Sequence, residues 1–224
     1  MTIILLLLGF TVGEKIEYEA RYSFLNLGTM TLEVRDTITY NDVPCYHIMS
    51  VLRSASGLRL LFSIDDTIEV YTSRDGLMPY VYRERINESG YQRARDLFFD
   101  RDSLYVSYDD TNKISITAET RDLLSFWYYL RTVPLTEGDT FTVDIHSAGE
   151  NHRIECRVEQ REQVKTRYAD FEAILVSPRT EGKGIFGARG GMEMWYSVDG
   201  RLPVQIRASM KMGSVLFRLK DVTN

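Results

Sequence analysis

The stretch 182–191, Gly-Lys-Gly-Ile-Phe-Gly-Ala-Arg-Gly-Gly, is the first place to look for phosphate chemistry. Glycines let backbone N–H groups close around an anion, and Lys183 and Arg189 would add charge. The spacing fails the phosphate-loop pattern, which places Ser or Thr after Gly-Lys and a glycine five positions earlier. It also fails the dinucleotide fingerprint, because residues 192–198 alternate like a strand instead of opening a helix. The segment reads as a mouth or lid loop, with Phe186 as an apolar plug.

The three histidines, His47, His146 and His152, have no partners at metal-ligand spacing. His146 and His152 could face each other across the turn-like 147–151, but a structural zinc takes four ligands, so no metal is expected and the three read as surface or hairpin histidines. Among the carboxylates, Asp65 and Asp66 are adjacent, and on a strand they would project to opposite faces, which is poor geometry for paired acid and base. Asp36 and Asp66 fall out of register with apolar neighbours. Each reads as an inward polar group or as a bulge, and they are the candidates for a carboxylate-dependent hydrolase. No Gly-x-Ser-x-Gly elbow supports acyl transfer. Asn87-Glu88-Ser89 matches a glycosylation sequon, a pattern too short to carry weight. No catalytic residue and no cofactor is predicted.

The aromatic residues carry more information. They make up 12% of the chain, with 14 tyrosines. Tyr18, Tyr22 and Phe24 share one face of an alternating run, Trp127 comes from a helical segment, and Phe186 and Trp195 lie in later segments. If these side chains fill an interior they are packing residues. If the sheet encloses more volume than side chains fill, the same six line a cavity for a lipid or other apolar ligand.

The elements that would position them are mostly strands. From Lys15 to Phe24, Ile16, Tyr18, Ala20, Tyr22 and Phe24 alternate with polar residues, the period of a strand with one wet face. Asn26-Leu27-Gly28 offers a turn, and Met30, Leu32, Val34, Ile38 and Tyr40 resume the alternation, with Asp36 out of pattern. The texture recurs through Ile64, Ile68 and Val70, Leu104, Val106 and Tyr108, Ile114 to Ala118, Phe141, Val143 and Ile145, Ile154 to Val158, Phe171 to Leu175, and Val204 to Met212, separated by turns such as Asp199-Gly200. Short strands with polar turns indicate an antiparallel meander. The exception is 122–132, where Leu123, Phe126, Trp127 and Leu130 form a helical stripe, Asp122 caps the start and Pro134 stops the end. The prediction is a mostly β fold, about a dozen strands curled into an open or closed barrel-like sheet with one helix near 122–132. Residues 11–224 are expected to form a single domain.

Length and charge set outer bounds. The 224 residues suffice for a full core, and two cysteines, Cys45 and Cys156, cannot make a disulfide scaffold. A net charge of −5 argues against a dedicated nucleic-acid binder. The apolar run 3–10 is too short for a bilayer that needs about 20 residues, so no transmembrane span is expected. Residues 1–10 read instead as the remnant of an export signal, lacking a basic start and a small-residue cleavage site. A buried first strand is the alternative.

Three stretches together resemble the bacterial family catalogued as domain of unknown function 3108. Phe10-Thr-Val-Gly-Glu-Lys-Ile-Glu-Tyr18 with Leu27-Gly28 is similar to its opening strand pair. Asp122-Leu-Leu-Ser-Phe-Trp-Tyr-Tyr-Leu-Arg131, running on to Leu135 and Gly138, is similar to its central helix and following strand. Met194-Trp-Tyr-Ser-Val-Asp-Gly-Arg-Leu-Pro-Val204 with Gly213-Ser214 is similar to its closing hairpin. The resemblance implies an exported, β-rich, barrel-like protein of the periplasm or cell envelope and brings no catalytic residues with it. Three functions follow as expectations: a non-enzymatic protein holding a lipid or other apolar ligand, an interaction module with a filled core that binds an envelope partner, or a hydrolase using Asp36 and Asp66.

Overall fold

The computed structural model describes residues 9–59, 62–108, 112–180, 191–210 and 213–224. Residues 1–8 of the N-terminal apolar run, and the glycine-dense stretch up to 190 with Phe186, lie outside the described residues. Fourteen strands form one antiparallel sheet. They are β1 (Lys15–Tyr22), β2 (Leu25–Tyr40), β3 (Val43–Ser54), β4 (Asp65–Ser73), β5 (Pro79–Glu88), β6 (Tyr91–Asp100), β7 (Tyr105–Ser107), β8 (Lys113–Ser115), β9 (Thr140–Ser147), β10 (Glu150–Lys165), β11 (Asp170–Thr180), β12 (Met192–Ser197), β13 (Pro203–Ser209) and β14 (Ser214–Thr223). Helix α1 (Leu123–Tyr129) separates β8 from β9. The spatial order runs from β8 back to β1, then from β14 back to β9, so every strand but the two at the join sits between its sequence neighbours or at an end. No ladder among the described residues joins β8 to β9, and the meander is open.

Alternation explains the core. Ile16, Tyr18 and Ala20 of β1, Met30, Leu32 and Val34 of β2, and Ile154, Cys156 and Val158 of β10 are all buried, as period-two patterning requires. Register shifts interrupt six of the ladders, and each adds local twist and bend that lets so wide a sheet curl. One of them accounts for Asp36: the β2/β3 register slips between Val34 and Asp36, so the out-of-pattern residue marks a bulge.

Three local expectations change. The first hairpin turns at Ser23-Phe24, not at Asn26-Leu27-Gly28, because Tyr22 pairs with Leu25 and Ser23 takes φ +53°. Gly28 instead sits inside β2, where a Cβ would lie 1.9 Å from the Arg53 carbonyl oxygen, so only glycine lets β2 and β3 approach there. The run Ile114 to Ala118 leaves the sheet after Ser115, since the Thr117 hydroxyl bonds Thr120 and the Asp144 carboxylate. Helix α1 is also wetted less than a single stripe predicts: Leu124, Phe126, Tyr128 and the following Leu130 are buried, while Leu123 and Trp127 are half-buried against the same core. Asp122 caps it as expected, accepting from Leu124 and Ser125 N–H at 2.8 and 3.0 Å, a contribution of about 1 kcal/mol.

The helix packs against β4 and β9 and fills the curl of the sheet. Phe10 stands edge-on to both Tyr46 and Tyr128, with centroids 5.4 and 5.0 Å apart. Inside this aromatic shell Arg131 pairs with Glu14 through two bonds of 2.5 and 2.8 Å and also donates to the carbonyls of Gly9 and Arg201. A second, smaller cluster lies under β6 to β8, formed by Leu97, Phe99, Val106 and Ile116. Both cysteines are buried and free. No helix among the described residues is long and apolar enough to cross a membrane.

Candidate functional site

The two ends of the sheet meet at a seam held by the connection from β8 to α1 and by side chains. The Arg121 N–H donates to the Asp144 carbonyl at 2.9 Å and the Arg121 carbonyl accepts from the His146 N–H at 2.8 Å, a short parallel bridge onto β9. Asn151 Nδ2 donates to the Ser115 carbonyl at 2.6 Å. That carbonyl can only accept, so the amide oxygen of Asn151 must face the other way, toward His146 Nδ1 at 2.7 Å. Nδ1 therefore carries the proton, and Nε2 accepts from the Tyr108 hydroxyl at 2.6 Å. His146 is 2% exposed, and burial holds its pKa below the ordinary histidine value, consistent with this neutral tautomer. Burial likewise raises the pKa of Tyr108, keeping its phenol protonated.

Beside this seam lies a cavity of about 290 Å³. It separates the two hydrophobic clusters: Ile68 and Leu123 border it from the main core, Leu97 and Tyr108 from the smaller one, and Tyr82 touches both. The polar part of the wall comes from β5, β6 and β9, as Glu84, Arg93, Arg95 and His146, with Ser147 and Ala148 at the hairpin. Arg93 and Arg95 continue the inward register of Phe99 and Leu97, and Glu84 stands directly opposite Arg95 on β5. Both oxygens of Glu84 are nevertheless engaged by Arg93, at 2.8 and 3.0 Å. Arg95 lies 6.0 Å from the Tyr108 ring centroid and has no carboxylate within ion-pair distance among the described residues. Among the described residues the cavity wall thus carries one positive charge in excess.

The residues singled out from the sequence fall elsewhere. Tyr18 is fully buried and donates its hydroxyl to the Pro203 carbonyl at 2.6 Å. Trp195 is 2% exposed, with its indole N–H on Glu162 and Arg207 over its ring. Trp127 packs half-buried against the main core, and Tyr22 ends β1 beside Gly213. Phe24 does not share the inward face of Tyr18: the Ser23-Phe24 turn leaves it 87% exposed. None of these five lines the seam cavity. Asp36 and Asp66 pair with different positions on β3, His47 and Leu52, from its two sides, which puts them roughly 15 Å or more apart at about 3.3 Å per residue. That exceeds the roughly 5 to 9.5 Å that paired catalytic carboxylates need. Asp36 contacts His47 at 3.2 Å, and Asp66 accepts from Asn87 N–H at 2.8 Å, while Asp65 pairs with Arg53. Of the histidines, His152 contacts the Ser147 carbonyl, whereas His146 is a buried member of the seam and not a surface group. The described residues hold no cluster suited to a metal ion.

Arg93, Arg95, Tyr82, Glu84 and Tyr108 were not candidates from the sequence. Their signal was there: in 93–99 and 82–84, charged and phenolic residues occupy positions of an inward register that is otherwise apolar.

No curated protein matches this sequence. Among solved structures, the chain is similar to a β-barrel-like protein of domain of unknown function DUF1849 from Brucella abortus, with a TM-score of 0.59 and 10% identity, covering 94% of this chain and 97% of that one. At that identity the likeness is one of fold. Weaker likenesses are to a protein from Parabacteroides distasonis described as a "putative lipoprotein" (TM-score 0.41, 11% identity, 95% of this chain and 96% of that one) and to one from Bacteroides fragilis described as a "putative exported protein with YmcC-like fold" (TM-score 0.44, 12% identity, 96% and 97%). The model of the family described as "Protein of unknown function (DUF3108)" matches residues 17–220, nearly the whole of the sheet from β1 to β14, and the chain therefore belongs to the DUF3108 family.

Proposed function

We propose that this is a non-enzymatic, exported envelope protein that holds a small molecule with an apolar part in the seam cavity. The observation that carries the reading is the gap itself: the main core is filled by aromatic side chains and α1, yet about 290 Å³ stays open between the two clusters. Ligand pockets run from about 300 to 1,000 Å³, so the cavity suits a compact ligand or one acyl segment and is too small for a whole two-chain lipid. Export draws its support from the apolar run 3–10 and from the envelope location that the family resemblance implies.

The test is native mass spectrometry and solvent extraction of protein purified without detergent, beside a Leu97→Trp variant whose indole fills the gap. A small molecule should co-purify with the parent chain and be absent from the variant. A uniformly empty parent chain that also ignores added alkyl probes would overturn the reading. A second reading, an interaction module, draws on the filled main core and on β9, whose outer edge beyond the Arg121 bridge is paired with no strand among the described residues at Thr140 to Thr142.

A further inference from the structure

The geometry points to a monocarboxylate as the ligand of the seam cavity, its carboxylate held by Arg95 and its apolar part lying against Ile68, Leu97 and Leu123. The inference rests on the cavity reading given above and adds the chemistry of the head group.

Four observations carry it. Arg95 sits in the inward register beside buried Leu97, where a guanidinium is costly unless it is paired or solvated. Its cross-strand neighbour Glu84 pairs with Arg93, and no carboxylate among the described residues lies within ion-pair distance of Arg95. The other polar groups of the wall are neutral: His146 is fixed as the Nδ1–H tautomer, and Tyr108 gives its hydroxyl hydrogen to His146. Among the described wall residues the excess is therefore a single positive charge, which one carboxylate balances and a dianionic phosphate would overshoot. The planar guanidinium fork matches a carboxylate through two parallel N–H bonds. The apolar part of the lining, Ile68, Leu97 and Leu123, favours a hydrocarbon-like remainder of the ligand, in a volume of about 290 Å³.

The experiment titrates full-length protein, freed of co-purified material, with octanoate, 1-octanol, octylammonium and octyl phosphate. Binding is followed by calorimetry and by the ring ¹H–¹⁵N signals of His146. Octanoate should bind saturably and shift those signals, at least about tenfold tighter than 1-octanol, with octylammonium weakest. Arg95→Gln should weaken octanoate about tenfold or more and leave 1-octanol unchanged. Glu84→Gln, which raises the excess charge without touching Arg95, should tighten octanoate severalfold. This second variant keeps the inference open to refutation should Arg95→Gln fail to fold. Equal affinity for 1-octanol and octanoate, tighter binding of octyl phosphate, or weaker octanoate binding in Glu84→Gln would overturn the carboxylate inference while the cavity reading stands. If none of the four probes binds, the cavity reading itself fails.

Discussion

Replacing Arg131 by methionine should be among the most damaging single changes in this chain. Its guanidinium is at the centre of the main core, with the side chain 2% exposed and that of Glu14 8% exposed. Four hydrogen bonds leave it: two to Glu14, one to the Gly9 carbonyl and one to the Arg201 carbonyl. It thereby ties the segment before β1, the end of α1 and the turn before β13 to one point. Arg131→Met preserves much of the apolar volume but strands a buried carboxylate, a change that costs about 3 to 5 kcal/mol. Against a total stability of about 5 to 15 kcal/mol, that is a large fraction. Urea unfolding should show a midpoint lowered by about 1 M or more at unchanged slope. Glu14→Gln should cost a comparable amount by leaving the guanidinium uncompensated. The double variant Glu14→Gln/Arg131→Met should be clearly better than the sum of the singles, because it removes both charges together. It will not return to the parent value, since the Gly9 and Arg201 carbonyls lose a donor. A cost below about 1 kcal/mol for Arg131→Met, or strict additivity in the double variant, would refute the argument that the two charges are coupled.

Two further outcomes follow from burial. Because burial lowers the folded pKa of His146, the unfolded chain binds its proton more readily, so stability is intact at neutral pH and falls as pH drops below the unfolded value of about 6.5 toward the folded one. Unfolding midpoints measured across that window should decline in the parent chain and decline less in His146→Gln; parallel curves would remove His146 from the acid response. The thiols of Cys45 and Cys156 are pushed up to about 11 and about 12 by burial, so a thiol reagent at mildly alkaline pH should label neither in the folded protein and both after denaturation. Rapid labelling of the folded chain would contradict the packing around β3 and β10.

Most strands were legible because a sheet with one buried face writes a period of two into the sequence, and the helix was legible because Asp122 and Pro134 bracket a different period. The first turn was not, for a physical reason. Asn26-Leu27-Gly28 has turn residues, but Gly28 is required by the close approach of β3, and the turn falls on Ser23-Phe24, which carries no such signature. The aromatic residues are ambiguous for a similar reason. Tyr18 and Trp195 are large and inward, yet filling a core and lining a cavity demand the same residue types, and only the packing decides between them.

Charged residues in an inward register are the sharper signal, because the two demands then diverge. A guanidinium beside buried Leu97 is tolerated only where an anion or water reaches it. Glu84 satisfies that condition for Arg93, whereas Arg95 has no carboxylate within ion-pair distance among the described residues. Arg95 faces the space between the main and smaller clusters, at whose border Tyr82 packs against both. A chain with valine at 93 and 95 would have no reason to hold its two clusters apart there. The cavity lies where two arginines stand beside one glutamate that pairs with only one of them, and its place beside the seam follows from the curl that brings β9 and its histidine against the strand that carries them.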